Sequence, residues 1–297
     1  SASRTRNWCL KDPLLDWLHL HGADRGFVPD APGDARCDFR EFVFQQGRRF
    51  EAGVLEQLAK RVAVYQLQGG GFSHSQSLAA CDDTFAAMCR GEAVIYQGVL
   101  RNPQNRTYGA PDLLVRSDVL RSLFPDALSA DEAQQGAPAI GAAHWHYRVV
   151  DVKFKTLQFD QHWEAGNDHL AFKTQVWLYN QALGRIQGFT PPHAYLLGRG
   201  WKKGANDEGS KSCLDRLAPV AHDSLPAGRN RPLRDVVEDA VQWIRSLRRE
   251  GAGWDPVAGI GPDMLPNLSN DQNQPWGSAV RQIAERIEDV SLAERDH

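Results

Sequence analysis

The sequence predicts an α/β fold whose central region runs helix, strand, strand, strand, helix, strand. Apolar residues recur at helical spacing over 47–66 and again over 167–184. Other runs are short and rich in β-branched and aromatic residues, as is typical of strands. These strand-like runs are 94–100, 112–116, 147–154 and 194–198. Helical and strand-like segments that alternate in this way indicate the α/β class.

The elements around this core follow from turn signals and from helical periodicity. Within the core, residues 101–108 are predicted to be a turn that joins 94–100 and 112–116 into a hairpin. Residues 22–40 and 202–230 are rich in Gly, Asp and other turn residues and are predicted to be loops. Further helices are expected at 11–21, 76–90, 118–124, 233–250 and 276–292. We therefore expect an N-terminal extension (1–44), a core (45–200) and a C-terminal loop and helical region (201–297).

Composition excludes several classes of protein. The chain has 297 residues, 42% hydrophobic and 24% charged, which is typical of globular proteins and not of disordered ones. Its 34 Lys and Arg against 37 Asp and Glu give a formal net charge of -3. A nucleic-acid-binding role would therefore have to depend on a local basic patch.

The cellular compartment is predicted from what the sequence lacks. No run of 18 apolar residues occurs, and the N-terminal residues do not resemble a secretion signal. The five cysteines are scattered and form no CxxC pair, which is typical of a reducing compartment and not of a disulfide or zinc framework. We expect an intracellular, cytoplasmic protein with no membrane partner.

Two aspartates at strand positions are the strongest candidates for chemistry. Asp112 opens the second predicted strand, and Asp151 lies inside the third strand with Lys153 two residues further on. Because strand side chains alternate, Asp151 and Lys153 share one face, and strand pairing can bring Asp112 beside them. Neighbouring carboxylates favour a bound cation, and oxygen ligands suit Mg²⁺ or Mn²⁺. The alternative is a structural Asp–Lys pair on an exposed sheet face.

These residues resemble a known family. Asp112 followed by Asp151-Val152-Lys153 resembles the signature of the PD-(D/E)XK nucleases, whose core has the same order of elements. Gln175 and Tyr179 resemble the Gln-x-x-x-Tyr motif of the RecB-like exonuclease branch. The resemblance covers about residues 45–200. It implies a restriction-endonuclease-like core with added N- and C-terminal helices.

The resemblance also implies a metal centre. Asp112 and Asp151 would be ligands of Mg²⁺ or Mn²⁺, together with the carbonyl of Val152. Glu51, on the first core helix, would complete the metal site directly or through water.

The remaining motif residues would act around that metal. Lys153 would position the attacking water. Gln175 and Tyr179, four residues apart on one helix face, would hold the active-site carboxylate and lysine or contact the DNA backbone. An iron–sulfur cluster, found in part of this branch, is not expected, because only Cys213 follows the helix that carries the Gln-x-x-x-Tyr motif.

The implied function is a metal-dependent DNA nuclease, an exonuclease in preference to an endonuclease. Its partner would be DNA, with a helicase or another replication or recombination protein supplying any ATP dependence. Two alternatives stay open, a non-catalytic DNA-binding module on a nuclease fold and a structure- or site-specific endonuclease. Repair, recombination, viral DNA processing and defence are all compatible pathways.

Overall fold

A computed structural model describes residues 1–31, 39–67, 71–166, 169–204, 209–210, 212–226, 230–270 and 272–288. The chain divides into two compact units. The first comprises Ser1–Ser3 and Phe42–Asp235, and the second comprises Arg4–Glu41 and Val236–His297. The fold is mixed α/β. In the described part of the chain, no helix is both long enough and apolar enough to cross a membrane.

A six-stranded mixed sheet forms the centre of the first unit. Its strands are β1 (Val64–Gln66), β2 (Val94–Tyr96), β5 (Leu113–Arg116), β6 (Tyr147–Phe159), β7 (His193–Lys203) and β8 (Ala218–Ala221), in the order β1-β2-β5-β6-β7-β8. Strands β1 and β2 are parallel, as are β6 and β7, and the other neighbours are antiparallel. A separate antiparallel hairpin consists of β3 (Leu100–Asn102) and β4 (Thr107–Gly109).

The helices of the chain are α1 (Arg6–Cys9), α2 (Pro13–Trp17), α3 (Phe39–Ala59), α4 (Gly71–Gln76), α5 (Leu78–Arg90), α6 (Ser117–Leu123), α7 (Ala130–Ala133), α8 (Leu170–Gln187), α9 (Leu233–Glu250) and α10 (Gly277–Arg286). Helix α5 begins where the Ser77 hydroxyl accepts a hydrogen bond from the Ala80 N–H, and it ends at Gly91, whose φ of +76° suits glycine. Helix α8 connects the parallel strands β6 and β7, as a crossover between parallel strands requires.

The core of the first unit lies between the sheet and its helices. Helix α3 contributes Val54 and Leu58, which pack against strand residues including Val150 and Val152. Each such enclosed side chain stabilises the fold by about 1.5–3 kcal/mol relative to an exposed one. Because Val150 and Val152 face this core, the alternate residues Asp151 and Lys153 lie on the opposite face of β6.

The hairpin prediction is correct in the pairing of 94–96 with 113–115 but wrong about the segment between them. Strand β2 ends at Tyr96, because Gln97 adopts a left-handed φ of +53° that turns the chain. Residues 100–109 then build the β3–β4 hairpin, where a simple turn is expected from the sequence.

Other boundaries also differ. Strands β1 and β8 were not predicted, and β6 and β7 extend beyond their predicted ends to Phe159 and Lys203. Helix α3 begins at Phe39 and ends at Ala59, before the predicted end at 66. The predicted helix start at 167 and the predicted helix end at 292 lie outside the described residues.

The second unit joins the two ends of the chain around its own apolar core. Leu14, Trp17 and Leu18 pack with Trp243 and Val280, among other buried residues. Hydrogen bonds between distant segments reinforce this packing. The Trp17 Nε1–H donates to the Gly251 carbonyl (2.9 Å). Segments more than 200 residues apart thus form one unit.

Candidate active site

Asp112 and Asp151 lie opposite each other at the start of β5. The antiparallel register pairs Leu113 with Val150, so one further step places Asp112 beside Asp151. Residues that are opposite in an antiparallel pair project from the same face. The backbone N–H of Val152 donates a hydrogen bond to Asp112 Oδ2 (2.6 Å), which holds this carboxylate against β6. The structure therefore brings together two acids that are 39 residues apart in sequence.

Lys153 pairs with the buried member of these two acids. Its ammonium forms an ion pair with Asp151 Oδ2, and the Asp151 side chain is only 2% exposed. Burial lowers the pKa of Lys153, but the charges of Asp151 and Asp112 outweigh burial and raise the pKa above its ordinary value. Lys153 is therefore charged at neutral pH.

The surroundings of Asp112 disfavour its charged form. Burial raises the pKa of Asp112 well above its ordinary value, and the nearby charges of Asp151 and Glu51 raise it further. Lys153 and the Val152 N–H act in the opposite direction without cancelling that rise. Asp151, Asp112 and Glu51 therefore all act on the Lys153 ammonium, and burial together with the two neighbouring carboxylates disfavours the charged form of Asp112.

Glu51 belongs to a hydrogen-bonded group that the sequence analysis missed. Its Oε1 accepts from the Tyr96 hydroxyl (2.8 Å) and from Gln97 Nε2 (3.1 Å). The Gln97 backbone N–H in turn donates to the Asp112 carbonyl (2.9 Å). Burial and the Glu51 hydrogen bond both raise the pKa of Tyr96. Tyr96 and Gln97 thus link α3 to the start of β5, and the Gln97-Gly98 pair, a turn signal, could have indicated this position.

Gln175 and Tyr179 lie on α8, and the structure brings them to the same cluster. Gln175 Nε2 donates to the Tyr179 hydroxyl (2.9 Å). Tyr179 is 5% exposed, and burial and the charge of Asp151 raise its pKa. Its ring lies against Gly109 of β4, where an added Cβ would be 2.4 Å from Tyr179 Cε1. The hairpin therefore encloses the tyrosine, which faces the cluster from inside the protein.

Strand β6 changes its pairing immediately after the site. Its register with β7 shifts between Lys153 and Thr156, so β6 has one extra residue there. At this level β6 extends beyond Leu113, the first residue of β5, and continues as a two-stranded ribbon with β7. The Val152 N–H points to the β5 side, and the carbonyl of the same strand residue lies on that side too.

In the part of the chain that the structure describes, side chains alone do not form a metal centre. Among the residues described, no three His, Cys, Asp or Glu side chains form a group that could hold a metal ion. The Glu51 carboxylate is engaged by Tyr96 and Gln97. Asp112 and Asp151 are the two acids that the strand register brings opposite each other, and Val152 contacts Asp112 through its backbone N–H.

Basic and aromatic side chains cover the β6–β7 ribbon and its neighbours. Trp163 contacts Trp201 edge to face, with ring centroids 5.5 Å apart. Lys203 Nζ and Arg216 Cζ each lie 3.9 Å from the centre of the Trp163 ring. Arg199 is exposed and donates to Thr156 Oγ1 (3.3 Å). The ribbon that begins beside Lys153 is therefore a cationic surface.

Comparison with known proteins adds no family: neither a protein-family model, a curated protein nor a solved structure matches this chain.

Proposed function

We propose that the protein is a metal-dependent DNA nuclease of the PD-(D/E)XK type with a restriction-endonuclease-like core. The observation that carries the proposal is the opposition of Asp112 and Asp151 at the start of β5, with Lys153 on the same face. Along the chain, α3, β2, β5, β6, α8 and β7 occur in the order expected of that core. Between them lie β1, α4 and α5 (before β2), the β3–β4 hairpin (before β5), and α6 and α7 (before β6). The exonuclease assignment rests on the resemblance of Gln175 and Tyr179 to the RecB-like motif.

The donor set fits Mg²⁺ or Mn²⁺. The cluster contains the carboxyl groups of Asp112, Asp151 and Glu51 beside the single ammonium of Lys153, and carboxylate and carbonyl oxygens are the ligands of hard cations. Asp112, Asp151 and the Val152 carbonyl would hold the ion. Glu51, which Tyr96 and Gln97 hold in place, would contribute negative charge nearby. A divalent cation held there supplies Lewis-acid activation of water and stabilises charge on a phosphoryl oxygen.

The chain's own side chains would divide the remaining work. Lys153 is charged, so it donates hydrogen bonds to the attacking water or to a phosphate oxygen and does not act as a base. Asp151 holds the lysine through their ion pair. Tyr179 is enclosed and hydrogen-bonded to Gln175, which supports a role in holding the acidic cluster rather than in contacting DNA.

The cationic ribbon supports DNA as the substrate. Lys155, Arg199, Lys202 and Lys203 follow the site along β6 and β7. A track of this kind binds phosphates irrespective of base sequence, as an exonuclease requires. The local cations would offset the overall net charge of -3.

Digestion of end-labelled linear DNA and closed circular DNA tests the proposal. We expect cleavage of the linear substrate in Mn²⁺ or Mg²⁺, and none in EDTA. Asp151→Asn should lower the rate by at least about 100-fold, the scale on which one electrostatic stabiliser acts. Glu56→Gln, on the exposed side of α3, is the matched control and should retain the wild-type rate.

Each alternative gives a different result. Cleavage of the closed circle would assign an endonuclease, because that substrate has no end. DNA binding with no cleavage in either metal would assign a non-catalytic binding module and reject the nuclease. Full activity of Asp151→Asn would reject this site.

A further inference from the structure

The second unit contains a cleft with an aromatic wall. Its volume is about 610 Å³, within the range of small-molecule sites. The residues that line it are Trp8, Asp239, Gln242, Trp243, Ser246, Glu250, Trp254, Gly261 and Pro262. All of them belong to the second unit, so the cleft is separate from the candidate active site.

Three indoles form one side of this cleft. Trp243 lies between the other two, with its ring 5.3 Å from that of Trp8 and 5.6 Å from that of Trp254, stacked in both cases. Trp243 and Trp254 are only 6% and 7% exposed, so they form the inner part of this aromatic wall, and the partly buried Trp8 forms its outer part. Indole faces are the best aromatic partners of a cation.

The aromatic wall is held in place before any ligand binds. Trp243 Nε1–H donates to Asp16 Oδ2 (2.9 Å), and Asn7 Nδ2 donates to the other oxygen of Asp16 (2.8 Å). On the far side, paired backbone hydrogen bonds between Asp255 and Ile260 close the loop behind Trp254. Such pre-organisation lowers the entropy cost of binding.

The polar groups of the cleft come from one stripe of α9. Asp239, Gln242, Ser246 and Glu250 recur every three or four residues and therefore project from one side of the helix. Among the described residues, no lysine, arginine or histidine lines the cleft. Glu250 also pairs with Arg249 at the surface (2.7 Å), an exposed ion pair of small energy that an incoming cation can displace.

We propose that this cleft binds an organic cation, a quaternary ammonium, an alkylammonium or a guanidinium group. Because Trp243 is stacked between Trp8 and Trp254, the partly buried Trp8 supplies the ring face for the cation, and Asp239 with Glu250 supplies the compensating charge. An anionic ligand such as a nucleotide would meet the carboxylates of Asp239 and Glu250, and among the described residues that line the cleft there is no cation to pair with it. The same cationic group can belong to a small molecule or to a Lys or Arg side chain of a basic peptide.

Titration of the whole protein followed by tryptophan fluorescence tests this. Choline is the probe, and 3,3-dimethylbutan-1-ol, which has the same shape without the charge, is the matched neutral control. We expect saturable binding of choline that is about 10-fold tighter than binding of the alcohol. Asp239→Asn combined with Glu250→Gln should weaken choline binding several-fold, whereas Glu238→Gln, on α9 but outside the cleft, should not.

Peptide and nucleotide titrations identify the source of the cation. Tighter binding of a Lys- and Arg-containing peptide than of choline would indicate a protein partner, and the reverse would indicate a small molecule. Equal affinity for choline and the neutral alcohol, no saturable cation binding, or preferential binding of AMP would each overturn the proposal. Trp8→Leu provides a second check. Loss of this outer indole should reduce the affinity for choline, while circular dichroism shows that the protein is still folded.

Discussion

The carboxylate of Asp112 accepts a 2.6 Å hydrogen bond from the backbone N–H of Val152, so a side chain at the start of β5 is tied to the strand that carries Asp151 and Lys153. At this level β5 has not yet begun, so the Val152 N–H donates to a side chain instead of to the backbone of β5. The contact holds one acid next to another despite their repulsion. Asparagine can still accept this bond, so Asp→Asn variants remove charge without removing the anchor.

Metal binding can be measured without activity. In Mn²⁺ the wild-type melting temperature should rise by several degrees, because a ligand at 100 times its Kd adds about 2.7 kcal/mol to stability. Without metal, Asp112→Asn should be at least as stable as the wild type, because burial and the neighbouring carboxylates disfavour the charged form of Asp112, which asparagine cannot adopt. That variant should lose most of the Mn²⁺ shift, and the exposed-face control Glu56→Gln should keep it. An undiminished shift in Asp112→Asn would show that the ion binds elsewhere.

Replacement of Lys153 should separate cleavage from binding. Lys153→Ala should abolish cleavage in Mn²⁺ and keep most DNA affinity in Ca²⁺, because the cations along β6 and β7 supply that affinity. Lys153→Arg should not restore normal cleavage, since a planar guanidinium differs in shape from a compact ammonium. A filter-binding assay and a cleavage assay on the same labelled DNA would measure both. Parallel loss of binding and cleavage would make Lys153 a phosphate anchor.

The Tyr179 hydroxyl should affect activity more than stability. Tyr179→Phe keeps the ring against Gly109 and removes one hydrogen bond with Gln175, which costs about 0.5–1.5 kcal/mol. We expect slower cleavage with little change in thermal unfolding. If both Tyr179→Phe and Gln175→Ala cut DNA at the wild-type rate, the RecB-like assignment is wrong.

Gly109→Ala probes the same contact from the other side. An added Cβ would be 2.4 Å from Tyr179 Cε1, so the ring or the hairpin must move. We expect a loss of about 1–3 kcal/mol in the free energy of unfolding, as for other overpacked sites. Chemical denaturation measures it, and Gly53→Ala, at a position with open space around the added Cβ, is the control.

Asp16 should make the second unit more stable in mild acid than at neutral pH. Burial raises the pKa of Asp16 from 3.8 to about 6, although hydrogen bonds from Trp243 and Asn7 act in the opposite direction. The protonated form is therefore favoured in the folded state, and its contribution is lost as the pH rises through about 6. The free energy of unfolding of the wild type, relative to Asp16→Asn, should fall by up to about 3 kcal/mol between pH 4 and pH 7. Tryptophan fluorescence during urea unfolding measures this difference, and a pH-independent difference would contradict the assignment.

The sequence by itself determined those helices and strands in which buried residues recur with a regular period. Helix α9 has the bounds expected from its periodicity, Leu233–Glu250, because one apolar stripe recurs through its whole length. The alternation of β6 placed Asp151 and Lys153 on one face and Val150 and Val152 on the other. The pairing of Asp112 with Asp151 could be anticipated for the same reason, since neighbouring strands align residues of the same face.

Only the tertiary structure decided which distant segments meet. Strands β1 and β8 are only three and four residues long, and they form because they pair with the edges of the sheet. The local sequence pattern does not indicate such pairing. The hydrogen bonds of Glu51 with Tyr96 and Gln97 depend on how α3 lies beside β2, and the left-handed Gln97 is held by its contact with Asp112. The tryptophan cleft joins Trp8 to residues more than 200 positions away. A periodic pattern shows that a face is buried, but the partner that buries it is selected by packing across the whole chain.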